Sequence, residues 1–278
     1  MSIRFTKASG KKNWRKEQNQ RPDPFFEKYF VIIKKTENRS PIIMPIKRPQ
    51  LINGEIYHIV IRGVGDSLIF KNKDDYYRGI FSLYEFNTTE PIEIRKQREK
   101  RKTAKRSGGQ TSANARKLLV EILAFWFMPN HIHLLLKQIR NNGITKFMQK
   151  LETGYATYFN KKYNRKGHLF QGRFRAVHIK TNEQLKNVFV YIHTNGISLI
   201  EPTWKEIGIK NPQKVIKFLE NYKWSSYPDY IGKKNFPSVT KRDFLSKVIG
   251  REKGCRNFVE SWVKYKKELK DLADIVLE

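Results

Sequence analysis

The sequence has a single cysteine, Cys255, among 278 residues. That excludes an internal disulfide and the cysteine-based zinc knuckles and ribbons, and it fits a reducing compartment, with the cytoplasm as the expectation. Long apolar runs are missing too. None approaches the roughly 18–20 residues of a spanning helix, and no signal-peptide pattern opens the sequence, so no membrane role is expected. Acids are scarce, with 26 Asp and Glu against 56 Lys and Arg and a net charge of +30. A charge of that size exceeds what solubility needs and calls for a polyanionic partner, in the first place nucleic acid. What remains is a globular composition. With 39% apolar and 13% aromatic residues, the chain can bury the core of one enlarged domain or two small ones.

The bases are unevenly spread. Residues 1–50 hold 13 Lys and Arg against 4 acids, so 1–49 reads as a basic N-terminal extension with one short ordered piece around Phe25–Ile33. Residues 94–117 carry ten Lys and Arg against Glu99 alone, an insertion that is either simply solvated or grips phosphate. From Thr153 to Thr181 there is no acid, and seven Lys and Arg interleave with Tyr155, Tyr158, Phe159, Tyr163, Phe170 and Phe174. Charge for phosphates beside rings for unpaired bases suits single-stranded DNA, although Phe159, Phe170 and Phe174 are expected in the core. Arg62, Lys161, Lys162, Arg165, Lys166, Arg173 and Arg175 are the candidate DNA contacts.

Hydrophobic periodicity gives the element order. A strand over 55–62 precedes a helix from Asp74 to about Phe86. Strands over 118–127 and 131–137 form a hairpin around Met128-Pro-Asn130. A helix follows from Ile144 to about Lys162, then strand-like alternation over 168–180, then a helix opened by the capping-box pattern Thr181-Asn-Glu-Gln184. Strand, helix, strand, strand, helix, strand, helix is met by an α+β fold: a ferredoxin-like antiparallel sheet with helices on one face. This domain is expected over 50–232, with a helical C-terminal accessory segment over 233–278 broken near Gly250.

Within the hairpin, His131 and His133 stand two apart in an apolar strand and so share a face. Two imidazoles on a rigid strand are half of a metal site. Tyr191 and Asn195, one helical turn apart at the edge of the stripe Leu185, Val188, Phe189 and Ile192, can supply the rest if that helix packs over the imidazoles. Nitrogen and oxygen ligands with coordination positions left over suit Mg²⁺ or Mn²⁺ better than a closed zinc site. Tyr155, Tyr158 and Tyr163 are rival nucleophiles, and His58, His168, His178 and His193 read as structural or surface groups.

The order Arg62-Gly63, Met128-Pro-Asn-His-Ile-His-Leu-Leu135, Gly167-His-Leu-Phe-Gln-Gly-Arg-Phe174, Tyr191-Ile-His-Thr-Asn195 and Trp224-Ser-Ser-Tyr227 resembles the single-tyrosine HUH transposases, most of all their REP-associated branch. The resemblance implies a metal-dependent endonuclease and strand transferase acting on single-stranded, hairpin-forming repeat DNA. It implies His131, His133 and Asn195 as ligands of Mg²⁺ or Mn²⁺, and Tyr191 as the nucleophile that forms a 5′-phosphotyrosine. Where that family commonly reads Tyr-Ile-His-Leu-Asn-Pro, this chain has Thr194 and Gly196, which bears on how the helix ends at Asn195. A homodimer exchanging the tyrosine helix and a monomer are both compatible with the resemblance. The alternative function is a non-catalytic protein on the same fold that binds structured DNA or RNA.

Overall fold

A computed structural model describes residues 49–93, 96, 97, 99, 103 and 116–264. Strand β1, Ile56–Arg62, is buried along its middle on both faces, and β-branched alternation of this kind belongs at the centre of a sheet. It pairs antiparallel with β3, His131–Gln138, on one side and β4, Arg175–Ile179, on the other. Strand β2, Val120–Phe127, closes the hairpin with β3 and gives the order β2-β3-β1-β4. With α1, Lys73–Phe86, and α2, Gly143–Lys162, in the two connections, this is the βαββαβ order of a ferredoxin-like α+β fold.

Helix α1 begins where Asn72 and Asp75 cap each other. The Asn72 side chain accepts from the Asp75 backbone N–H at 3.2 Å, and the Asp75 carboxylate accepts from the Asn72 N–H at 3.3 Å. Such a cap stabilises a helix by about 1 kcal/mol. Helices α1 and α2 share the sheet face that carries Phe127, which stacks on Phe70 at 4.9 Å; Phe70 in turn meets Tyr155 of α2 at 5.3 Å. Trp126, the neighbouring strand residue, points to the opposite face, where it packs under Gly196 at the end of α3, Asn182–Thr194. The two helices of the expected layer are therefore α1 and α2, and α3 covers the other face, the one bearing His131 and His133.

The alternation expected over 168–180 gives a shorter strand, because β4 starts only at Arg175. Gly167 and Gly172 adopt left-handed backbone, φ 87° and 64°, which interrupts an extended run. The intervening loop docks on the end of β1: Val64 N–H donates to Leu169 O at 3.0 Å, and Gln171 N–H donates to Arg62 O at 2.8 Å.

Beyond α3, a 3-10 turn over Asn195–Leu199 leads to α4, Trp204–Ile207, and α5, Pro212–Asn221. Residues 224–226 then run along β2, with Phe127 N–H donating to Trp224 O at 2.9 Å and Ser226 N–H to Phe125 O at 3.0 Å. They cover the open edge of the sheet. After α6, Tyr227–Tyr230, come α7, Asp243–Ile249, and α8, Arg251–Lys264, parted at Gly250; they fall in the C-terminal segment expected over 233–278, of which 265–278 lies outside the described residues. Their Leu245, Cys255, Val259 and Val263 join the same buried apolar cluster as the sheet. The extension expected over 1–49 lies outside the described residues except for Pro49, as does most of 94–117. At the end of that insertion, Arg116 donates to the carbonyls of Tyr84 and Glu85 and lies over the Tyr84 ring at 4.1 Å.

Candidate active site

Register assembles the site. Arg62 lies opposite His131, Val60 opposite His133, and His58 opposite Leu135, so Arg62, His131, His133 and His58 share one face of the sheet. The His131 and His133 rings stand 4.9 Å apart at 76°. Each is gripped through Nδ1. His131 donates from Nδ1 to the Asn130 side-chain oxygen at 2.6 Å, and His133 Nδ1 lies 3.0 Å from His58 Nε2. The Nε2 edge of His133 is buried with no hydrogen-bond partner among the described residues.

Burial, followed by the charge of Arg62, holds the His131 imidazolium well below the ordinary histidine range, with Asn195 opposing. His133 is lowered in the same way by burial and then by His131, His58 and Arg62. Burial takes His58 down to about 3. All three rings are therefore neutral at physiological pH, the form in which imidazole ligates a cation.

Helix α3 delivers the oxygen groups. Thr181 caps it, its hydroxyl accepting from Gln184 N–H at 3.1 Å, and Leu185, Val188, Phe189 and Ile192 bury its inner stripe. Tyr191, at the margin of that stripe, meets the rings of His133 and His58 edge-on at 5.6 and 5.8 Å. Its hydroxyl is buried and makes no hydrogen bond of ordinary geometry among the described residues. Burial raises its proton affinity above that of a free phenol, while Arg62 and Asn195 pull the other way. Asn195 keeps helical backbone, φ −54° and ψ −35°, and donates its N–H to Tyr191 O. The change to Gly196 therefore does not move Asn195 out of helical register. A side chain at 196 would overlap the Trp126 ring, which accounts for glycine there. The Asn195 amide stabilises both His131 in its protonated form and Tyr191 in its ionised form, so it stands between them.

Among the described residues no group of three or more His, Cys, Asp or Glu is placed to hold a metal ion by itself. A cation here would rest on two imidazole nitrogens and the Asn195 amide oxygen. That neutral donor set and the unsatisfied His133 Nε2 fit a divalent ion that keeps several positions for water and substrate oxygens. Lys205 on α4 was not singled out by sequence. It retains solvent-accessible surface but stands amid dense protein, so desolvation, and then Arg62, bring it down to about 8, and its charge is felt at both His131 and His133. The charges of Arg62 and Lys205 both reach the imidazoles, which suits a phosphate. No local sequence pattern marks Lys205, whose place depends on the fold of 196–204.

The rival tyrosines lie on the α1 and α2 side with their phenols engaged. Tyr155 donates to Ile69 O at 2.6 Å, and Tyr158 and Tyr163 donate to the two oxygens of Asp75 at 2.9 and 2.7 Å. Among the candidate DNA contacts, Lys162 binds the same Asp75 at 2.7 Å. Arg165 braces its own loop through Asn160, Gly167 and His168. Arg62 pairs with Asp66 at 2.8 Å at the rim of the site. Lys161, Lys166, Arg173 and Arg175 are exposed, and Arg175 lies opposite Val60 in the register. Connectivity puts the end of α2, the 163–174 loop and the start of β4 at the sheet end that holds Arg62 and His131.

Residues 91–195 match the family model described as "Transposase IS200 like", a stretch that contains His131, His133 and Tyr191 and ends on Asn195. A solved structure described as "Structure of the REP associates tyrosine transposase bound to a REP hairpin" is similar at 12% identity, with a TM-score of 0.44, covering 72% of this chain and 93% of that one. No curated protein matches the chain.

Proposed function

Since this chain carries an IS200-like transposase segment over residues 91–195, we propose that it cuts and rejoins single-stranded DNA beside hairpin-forming repeats, with Tyr191 as the nucleophile. The observation that carries the reading is the Tyr191 ring set edge-on against His133 and His58 while its hydroxyl makes no hydrogen bond of ordinary geometry among the described residues. A structural tyrosine buried at such a place would be expected to use its hydroxyl; a nucleophile keeps it for substrate.

His131, His133 and Asn195 would hold Mg²⁺ or Mn²⁺, which when bound draws negative charge off the non-bridging phosphate oxygens. The protein supplies the rest. Arg62 and Lys205 attract the phosphodiester to the imidazole face and oppose its charge. Tyr191 is protonated at rest, because burial outweighs the pull of Arg62 and Asn195. On attack its oxygen bonds to phosphorus, the P–O bond to the 3′ oxygen breaks, and the phenol proton ends on that oxygen. The products are a 5′-phosphotyrosine and a free 3′-OH. The ester keeps the energy of the broken bond, so another 3′-OH can reverse the step and join strands. Lys161, Lys166, Arg173 and Arg175 are the surface that would track the strand.

Mixing the full chain with a 3′-labelled single-stranded hairpin library and Mn²⁺, then denaturing in SDS, tests the reading. Label should travel with the protein and vanish in Tyr191→Phe and His131→Ala. Tight binding without an adduct across the library would favour the non-catalytic binding protein instead.

A further inference from the structure

The contact between His58 and His133 joins β1 to β3 across 75 residues of sequence. Both side chains are buried, and their rings are stacked at 5.2 Å and 12°. The 3.0 Å separation between His58 Nε2 and His133 Nδ1 accommodates one hydrogen only. A neutral imidazole has one N–H and one lone pair, so the ring that donates here fixes what the far edge of His133 presents to the site.

If His58 donates, His133 must carry its own proton on Nε2. That N–H would then point, without an acceptor, into a region where Arg62 lies in register with His131. If His133 donates, its Nε2 presents a lone pair to that positive surrounding, which is electrostatically the better end to turn there. His58 then carries its proton on Nδ1, which is buried and without a partner among the described residues. One unsatisfied N–H is present in either arrangement, so Arg62 decides between them.

We propose that His58 is a positioning residue whose Nε2 accepts the Nδ1–H of His133 and so keeps the Nε2 lone pair of His133 turned into the site. The role rests on His133 being a cation ligand as proposed above, and goes beyond it. Ligating histidines commonly donate their second nitrogen to a carboxylate or carbonyl. Here the acceptor is a neutral ring, and the site gains orientation without gaining negative charge.

Long-range proton–nitrogen spectra of the full-length, metal-free protein with ring-labelled histidine read the tautomer directly. We expect His133 to carry its proton on Nδ1, and Mg²⁺ to perturb Nε2 of His131 and His133. His58→Phe, which keeps a ring against Tyr191, should erase the Nδ1–H preference and weaken Mn²⁺ uptake, followed by the EPR signal of the free ion, about 10–100-fold. His58→Gln, with an amide oxygen able to accept, should restore both, which a packing role for the ring would not allow. A proton on Nε2 of wild-type His133, or an unchanged tautomer in folded His58→Phe, overturns the proposal. If His58→Phe does not fold, the wild-type and His58→Gln spectra decide. Failure of the wild-type protein to take up Mn²⁺, with the tautomer pattern intact, would overturn the cation reading on which the positioning role rests and leave only the hydrogen bond from His133 to His58.

Discussion

His193 Nε2 lies 2.8 Å from the hydroxyl of Ser226 in a fully buried contact, and this joins the helix of Tyr191 to the segment that covers the edge of β2. The same hydroxyl accepts from Phe125 N–H at 3.0 Å. Ser226→Ala therefore leaves two buried groups unsatisfied. A loss of about 1–3 kcal/mol is expected, read as a lower midpoint in urea. An unchanged midpoint would mean that the contact adds nothing to holding α3.

Gly196 is the second constraint on that helix end. Gly196→Ala forces a methyl group into the Trp126 ring, and overpacking of this kind costs about 1–3 kcal/mol. Thermal unfolding should show the loss. Adding Trp126→Phe, which shortens the ring, should recover part of it, and strict additivity of the two changes would rule out the clash as the cause.

Much of the site is readable in local spacing. Alternation on a strand puts His131 and His133 on one face, and the helical turn puts Tyr191 beside Asn195; both relations depend on a few adjacent residues. His58 could not be read this way. Its partner is set by the β1–β3 register, which emerges only when the sheet closes. Lys205 and the His193–Ser226 contact depend likewise on distant packing. The alternation over 168–174 imitates a strand because Leu169, Phe170 and Phe174 do face the core, but Gly167 and Gly172 turn the backbone away from extended form.

Buried neutral histidines make the fold sensitive to acid. Burial brings His58 and His193 each down to about 3, against about 6.5 in the unfolded chain. Between those values the unfolded state binds more protons, so stability is full above about pH 6.5 and falls as the pH drops toward 3. At pH 5 each ring contributes a loss of about 2 kcal/mol. Unfolding midpoints measured from pH 8 to pH 5 should be level down to about pH 6.5 and then decline. In His193→Gln the decline should be shallower, and an equal slope would show that this ring is not buried neutral.

The candidate DNA contacts can be separated by what already holds them. Lys162 is bound to Asp75, a carboxylate with no exposure that also accepts from Tyr158, Tyr163 and the Lys71 N–H. An ammonium so engaged has little to offer a phosphate, and breaking its pair would leave a buried charge, which costs about 3–5 kcal/mol. Lys161 and Arg173 are exposed and can each displace a counterion from a strand. The dependence of single-strand affinity on salt falls by about 0.7 in log–log slope for each phosphate that the protein no longer neutralises. Lys161→Gln and Arg173→Gln should therefore each flatten the slope by about that amount with the unfolding midpoint unchanged. Lys162→Gln should lower the midpoint and leave the slope as it is. A flattened slope in Lys162→Gln would mean that the ion pair with Asp75 opens on DNA binding and that Lys162 turns to the strand.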